Sequence, residues 1–326
     1  MPRHARPTML ALLLGLGCQA HRAPAAPPRP AATATADLHR DGTIESLTPV
    51  LTTARSEYLA LTYWSDGLRV KGYLGRPRAP GRHPAVIFNR GGNREFGALT
   101  GQELIPFVEA GYVAAASQYR GNAGGEGREE LGGADLHDVL NLIPLLDRLP
   151  EVDGDRLGMV GQSRGGMMTY LALRAESERG VHRIRAAATV GGMADLDDVL
   201  ERRPELLRHW APLLGDGLAV APEATAARSA VRWADRIDTP LLLLHGQADA
   251  FVSVESARAF AAALERAGKP VKLLTYPGDD HGLSEHQGGL PELLDWFQRH
   301  LGAPGEDRSF ERHRAEMFEA WDSWPK

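Results

Sequence analysis

Three residues able to carry acyl transfer stand far apart in this chain. They are Ser163 in Gly161-Gln162-Ser163-Arg164-Gly165, Asp249 in His245-Gly246-Gln247-Ala248-Asp249, and His281 in Asp280-His281-Gly282. A serine hydroxyl is a weak nucleophile at neutral pH. It attacks a carbonyl when a base takes its proton, a third group orients that base, and N–H donors meet the developing oxyanion. The serine pentapeptide follows a strand-like run at 156–160 and opens a helix-like run at 167–173. G-x-S-x-G in that setting is a tight turn that lifts the hydroxyl above a sheet edge. Its flanking glycines let strand and helix approach without a Cβ between them.

The chain order Ser, Asp, His assigns roles. Ser163 attacks, His281 takes its proton and returns it to the leaving group, and Asp249 fixes the imidazole tautomer. Asp249 lies just past the apolar run 240–245, and His281 lies past the strand-like run 271–276. Both therefore belong at the carboxyl edge of a sheet, where open α/β sheets bind ligands. Asp279 and Asp280 are the rivals to Asp249, but they would have to fold back to reach the ring. One oxyanion donor is the backbone N–H of Arg164. The second comes from the loop 89–93, through Gly91 or Gly92, a pair that also reads as a plain turn. The side chains of Arg90 and Arg164 suit either bidentate binding of a substrate carboxylate or structural ion pairs.

The positioning elements follow from the pattern. Residues 58–64 and 68–74 read as two strands around Ser65-Asp66-Gly67, a hairpin signal. Strands at 83–89, 112–117, 156–160, 185–190, 240–245 and 271–276 then alternate with helices near 102–110, 136–146, 167–173, 255–267 and 291–301. Such alternation implies a mostly parallel sheet with helices on both faces, an α/β fold. It stops over 192–237, where leucines and Trp210 have helical spacing. This insertion lies over the site mouth or serves only as a connection. Residues 304–326 read as an amphipathic helix with Phe310, Met317, Phe318 and Trp321.

Composition narrows the class. The chain has 326 residues, 43% apolar and 24% charged, and a formal net charge of −5, which suits a soluble globular protein and offers no basic surface for nucleic acid. No H-E-x-x-H, zinc-type Cys/His pattern or phosphate loop appears, so neither a metal nor another cofactor is implied. Residues 1–17 read as an export signal: Arg3 and Arg6 precede an apolar core over 9–16 that falls short of the roughly 20 residues needed to span a bilayer. Cys18, the single cysteine, follows directly. It resembles the lipidated residue of a bacterial lipoprotein, with Gly15 where Leu is expected. Gln19 rather than Asp beside it fits an outer-membrane destination. Plain secretion with an incidental cysteine is the alternative. Residues 18–43 form a tether rich in Ala, Pro and Thr near its start, and 44–303 form the catalytic domain.

These motifs together resemble the catalytic domain of the prolyl oligopeptidase family of serine peptidases, and related dienelactone-hydrolase-like esterases. The marks are Tyr119-Arg120-Gly121, Val152-Asp153-Gly154-Asp155-Arg156, residues 161–166, Asp238-Thr239-Pro240 leading to His245-Gly246 and Asp249, and Asp280-His281-Gly282. The resemblance covers about 56–301 and implies an α/β-hydrolase fold, the triad Ser163, Asp249 and His281, and short peptides as substrates. A carboxylesterase acting on small esters is the alternative. A non-enzymatic envelope lipoprotein would fit better were a triad member missing. Three departures bear on substrate: the long N-terminal β-propeller of family peptidases has no counterpart in the short stretch before the alternating strands, Arg164 replaces an aromatic or Asn, and Arg90 replaces His.

Overall fold

The computed structural model describes residues 40–215, 220–303 and 305–325. The expected export signal, Cys18 and most of the tether lie outside the described residues. The strands are β1 (Ile44–Thr52), β2 (Ser56–Ser65), β3 (Leu68–Pro77), β4 (His83–Asn89), β5 (Val113–Ser117), β6 (Val152–Gln162), β7 (Ile184–Val190), β8 (Leu241–Gly246) and β9 (Val271–Tyr276). The helices are α1 (Ile105–Glu109), α2 (Leu136–Leu140), α3 (Leu142–Asp147), α4 (Arg164–Glu178), α5 (Leu196–Arg202), α6 (Leu207–Leu214), α7 (Pro222–Ala226), α8 (Val254–Arg266), α9 (Leu290–Leu301) and α10 (Phe310–Asp322).

All nine strands form one sheet in the order β1-β2-β3-β5-β4-β6-β7-β8-β9. Pairing is antiparallel from β1 to β5 and parallel from β5 to β9. The β2–β3 hairpin turns on Asp66 and Gly67, both at positive φ, the geometry that follows strand twist in a two-residue loop. Its strands are the expected pair. β1, whose residues carry no clear strand alternation, adds an antiparallel edge strand to β2. The expected helix over 136–146 is broken into α2 and α3 at Asn141, and the one near 102–110 opens with a turn of 3₁₀ helix before α1.

Successive strand residues point to opposite faces. Ala85, Ile87, Met159, Leu241 and Leu243 join a core with α2, α3, α4 and α8. Val86, Val160, Leu242 and Leu244 join a second core with α1, α9 and α10. Both faces are covered, which is why these strands read as continuous apolar runs. On α10, Phe310 and Met317 are buried as expected, whereas Phe318 and Trp321 are half exposed. Phe318 instead stacks beside the Arg314 guanidinium, 5.7 Å from its ring centre.

β4 lies between β5 and β6, so the chain leaves β4 in one direction and returns past it in the other. A crevice opens where the winding reverses, at the carboxyl ends of β4 and β6. The loop after β4 carries Arg90, Gly91 and Gly92, and the turn after β6 carries Ser163. The insertion forms α5, α6 and α7 with short 3₁₀ turns, and it borders this crevice. Trp210 Nε1 donates to Asn93 Oδ1 at 3.2 Å, and the Arg203 guanidinium lies 4.9 Å from the Phe251 ring centre.

Candidate active site

β6 becomes α4 across a single residue. Ser163 takes φ 56° and ψ −122°, a conformation costly for any residue with a Cβ. Its N–H donates to Val190 O at 2.9 Å, and its carbonyl accepts from Gly166 N at 2.9 Å and Met193 N at 3.1 Å. A Cβ on Gly161 would stand 2.1 Å from Gly165 O, and one on Gly165 would stand 1.9 Å from Asn89 O. Only glycine allows β6, α4 and the end of β4 to approach so closely.

Asp249 and His281 meet at the same edge. His281 Nδ1 lies 2.7 Å from Asp249 Oδ2. A carboxylate only accepts, so Nδ1 carries the proton and Nε2 is left for proton transfer. Phe251 N and Val252 N donate to Asp249 Oδ1 at 2.8 and 2.9 Å. His245, buried at the end of β8, adds a contact that sequence reasoning missed. Its Nε2 lies 3.2 Å from Asp249 Oδ2 and 2.9 Å from the Val252 carbonyl, so that nitrogen is a donor. Burial pushes the Asp249 pKa up. The hydrogen bonds from His245, His281 and Val252 N outweigh it and hold the group well below the carboxylate range. The signal was present as a strand-terminal histidine four residues before the aspartate.

The rival acids are occupied elsewhere. Asp279 Oδ2 pairs with His286 Nδ1 at 2.7 Å, and Asp280 Oδ2 accepts from Ser284 Oγ at 2.7 Å. His281 is brought to the elbow by the end of β7. A Cβ on Gly191, next to the Val190 carbonyl that holds Ser163, would stand 2.9 Å from His281 Nδ1. The half-exposed Phe251 ring lies 5.2 Å from the His281 ring.

The loop after β4 closes the site on its other side. A Cβ on Gly91 would stand 3.2 Å from Ser163 Cβ, so this residue borders the hydroxyl. The Arg164 N–H opens α4 directly after Ser163. The structure corrects the expectation that Arg90 or Arg164 offers its guanidinium to a substrate carboxylate, because each is 1% exposed. Arg164 Nη2 donates to Asp135 Oδ2 at 2.6 Å, while Nη1 bonds Glu129 and donates to the Gly92 carbonyl at 3.0 Å. Arg90 donates to the carbonyls of Gln118, Arg94 and Phe96. Both cations lie against the buried Tyr119 ring, whose hydroxyl donates to Arg90 O at 3.0 Å. Burial works against the Arg164 charge, but the fields of Asp135 and Glu129 hold its pKa above the ordinary value. Two cations and two anions thus fasten the 90–97 loop from beneath.

Residues 99–304 match the prolyl oligopeptidase family. The chain belongs to that family. It is a serine-type hydrolase. Among its relatives, the uncharacterized peptidase YtmA of Bacillus subtilis is 33% identical over 73% of this chain and 92% of its own length. Dipeptidyl-peptidase 5 of Porphyromonas gingivalis is 28% identical over 68% of this chain, which spans 34% of that protein. A puromycin-hydrolyzing peptidase of Mycobacterium tuberculosis superposes with a TM-score of 0.65 at 25% identity, over 77% of this chain and 41% of that one. The chain therefore spans nearly all of one relative and well under half of the longer two. The α/β-hydrolase fold is shared with this solved structure.

Two outcomes follow. Asp249 has a lower pKa folded than unfolded, so its contribution to stability is complete above about pH 4 and drains away as pH falls further. In urea unfolding, the stability gap between wild type and Asp249→Asn narrows below about pH 4. A gap unchanged down to pH 2.5 contradicts this. Arg164→Met leaves Glu129 and Asp135 short of a buried partner and lowers unfolding free energy by about 3–5 kcal/mol. A loss under about 1 kcal/mol would mean that the cluster does not hold the loop.

Proposed function

We propose that the chain is a serine peptidase acting on short peptides through an acyl-enzyme on Ser163. The observation that carries this reading is the Asp249–His281 hydrogen bond at 2.7 Å, at the sheet edge that carries Ser163 on its strained turn.

Ser163 Oγ attacks the peptide carbonyl carbon as its proton passes to His281 Nε2. Asp249 keeps the ring oriented and stabilises the imidazolium. The carbonyl oxygen, now anionic, accepts from the Arg164 N–H and from a second amide of the Gly91-Gly92 loop, donors whose positions the buried arginine cluster fixes in advance. The C–N bond breaks and the departing amine takes the proton from His281. Water then adds to the acyl group, His281 takes and returns its proton, and the acid leaves with the serine hydroxyl restored. No metal or organic cofactor enters these steps. A carboxylesterase would follow the same course with an alcohol as leaving group. On the strength of the N-terminal sequence alone, the same reading places the enzyme outside the cytoplasm, held to the envelope through Cys18.

Aminoacyl and dipeptidyl anilides, assayed beside short-chain nitrophenyl esters, separate these readings. Anilides are turned over, and Ser163→Ala and His281→Ala each lower kcat by roughly 10⁴–10⁶-fold. Turnover of esters alone makes the chain an esterase, and activity that survives in Ser163→Ala removes the mechanism.

A further inference from the structure

A cavity of about 300 Å³ lies beside the site and has no part in the steps above. Its walls come from four elements of the fold: Phe88 at the end of β4, Phe107 on α1, Leu293 on α9 and Trp321 on α10. Its rim toward the site is made by Gln162, the residue before Ser163, and Gly282, the residue after His281. A Cβ on Gly282 would stand 4.0 Å from Gln162 Nε2, so the two rim residues face each other. The cavity is thus an opening on the immediate flank of both the nucleophile and the base.

Its chemistry selects an uncharged occupant. Among the described residues no cationic side chain lines it, and the single carboxylate among them, Glu103, is spent on the backbone N–H groups of Thr100 and Gly101 at 3.2 and 2.9 Å. The other polar side chains are the amides of Gln102, Gln162 and Gln287 and the Trp321 indole. The volume falls at the low end of the roughly 300–1,000 Å³ range of ligand pockets, enough for one aromatic or branched aliphatic side chain. The half-exposed Trp321 indole keeps one wall in contact with solvent, leaving a way in.

The side of the scissile bond follows from proton transfer. The leaving group must lie over His281, which protonates it. The cavity is walled by the residue after His281 and by α9, and its apolar lining belongs to the core on the α1, α9 and α10 face. The insertion residues Val199, Trp210 and Leu213 belong to the opposite core. Resting on the reading of Ser163 and His281 given above, we infer that this cavity is the subsite for the side chain of the leaving group, and that it takes an apolar residue directly after the cleaved bond. The acyl half then lies toward the insertion.

The experiment uses the full chain and two peptides with the same acyl half, one releasing phenylalaninamide and the other glycinamide. Fluorophosphonate labelling of Ser163 is measured in the same samples. Wild type favours the phenylalaninamide peptide in kcat/KM by about tenfold or more. Leu290→Trp, which fills the cavity from the start of α9, brings that ratio toward one. Trp321→Ala, at an exposed side chain and so safe for folding, lowers it by removing a wall. Labelled Ser163 with a ratio near one in wild type, or with the same ratio in wild type and both variants, overturns the subsite. Unlabelled wild-type Ser163 overturns the reading of the nucleophile, and the subsite falls with it.

Discussion

The turn at Ser163 is the constraint on which the rest of this site depends. A strand that must become a helix across one residue forces that residue to positive φ, at a cost on the order of 1–3 kcal/mol. The cost is offset by packing that only the Gly161 and Gly165 backbones permit. The same turn decides three directions at once. Gln162 faces the α1 and α9 side, the Ser163 hydroxyl stands at the edge, and the Arg164 N–H begins a helix beneath it. The Arg164 side chain then runs back under the loop after β4 and bonds the Gly92 carbonyl. The Ser163 hydroxyl, the Arg164 N–H and the side chain that anchors the loop are thus consecutive consequences of one backbone reversal.

Electrostatics completes what the turn begins. Isolated buried charges are costly, and this site buries several, each matched. Asp249 receives N–H groups from Phe251, Val252, His245 and His281. Arg90 and Arg164 balance Glu129 and Asp135. Both sets fix polar groups in place before any substrate arrives, the kind of preorganisation that the proposed oxyanion donors need.

The fold and the meeting of Asp249 with His281 were legible because they rest on local signals. Apolar runs of strand length, helical spacing between them, and glycine at fixed offsets around Ser163 are written within short windows. The seams within 136–146 and 102–110 were not, since a break at Asn141 and a 3₁₀ entry leave the apolar spacing nearly unchanged. Arg90 and Arg164 could be read as substrate contacts or as ion pairs. Their partners Glu129 and Asp135 lie 29 to 39 residues away in a glycine-rich loop, and only tertiary packing brings them together. The role of His245 was hidden for a different reason. It ends an apolar strand and resembles core, yet it completes the shell of Asp249. Trp321 follows the apolar face of α10, but that helix reaches a cavity rim there, and periodicity does not say where a neighbouring surface ends.

The most direct test of a nucleophilic Ser163 oriented by this architecture is rapid-quench kinetics on an activated ester, with peptide mass analysis of the quenched enzyme. The account predicts a burst of one equivalent of product per active chain, with the acyl group on the peptide containing Ser163. Steady turnover with no burst and no adduct, or an adduct on another residue, would contradict it.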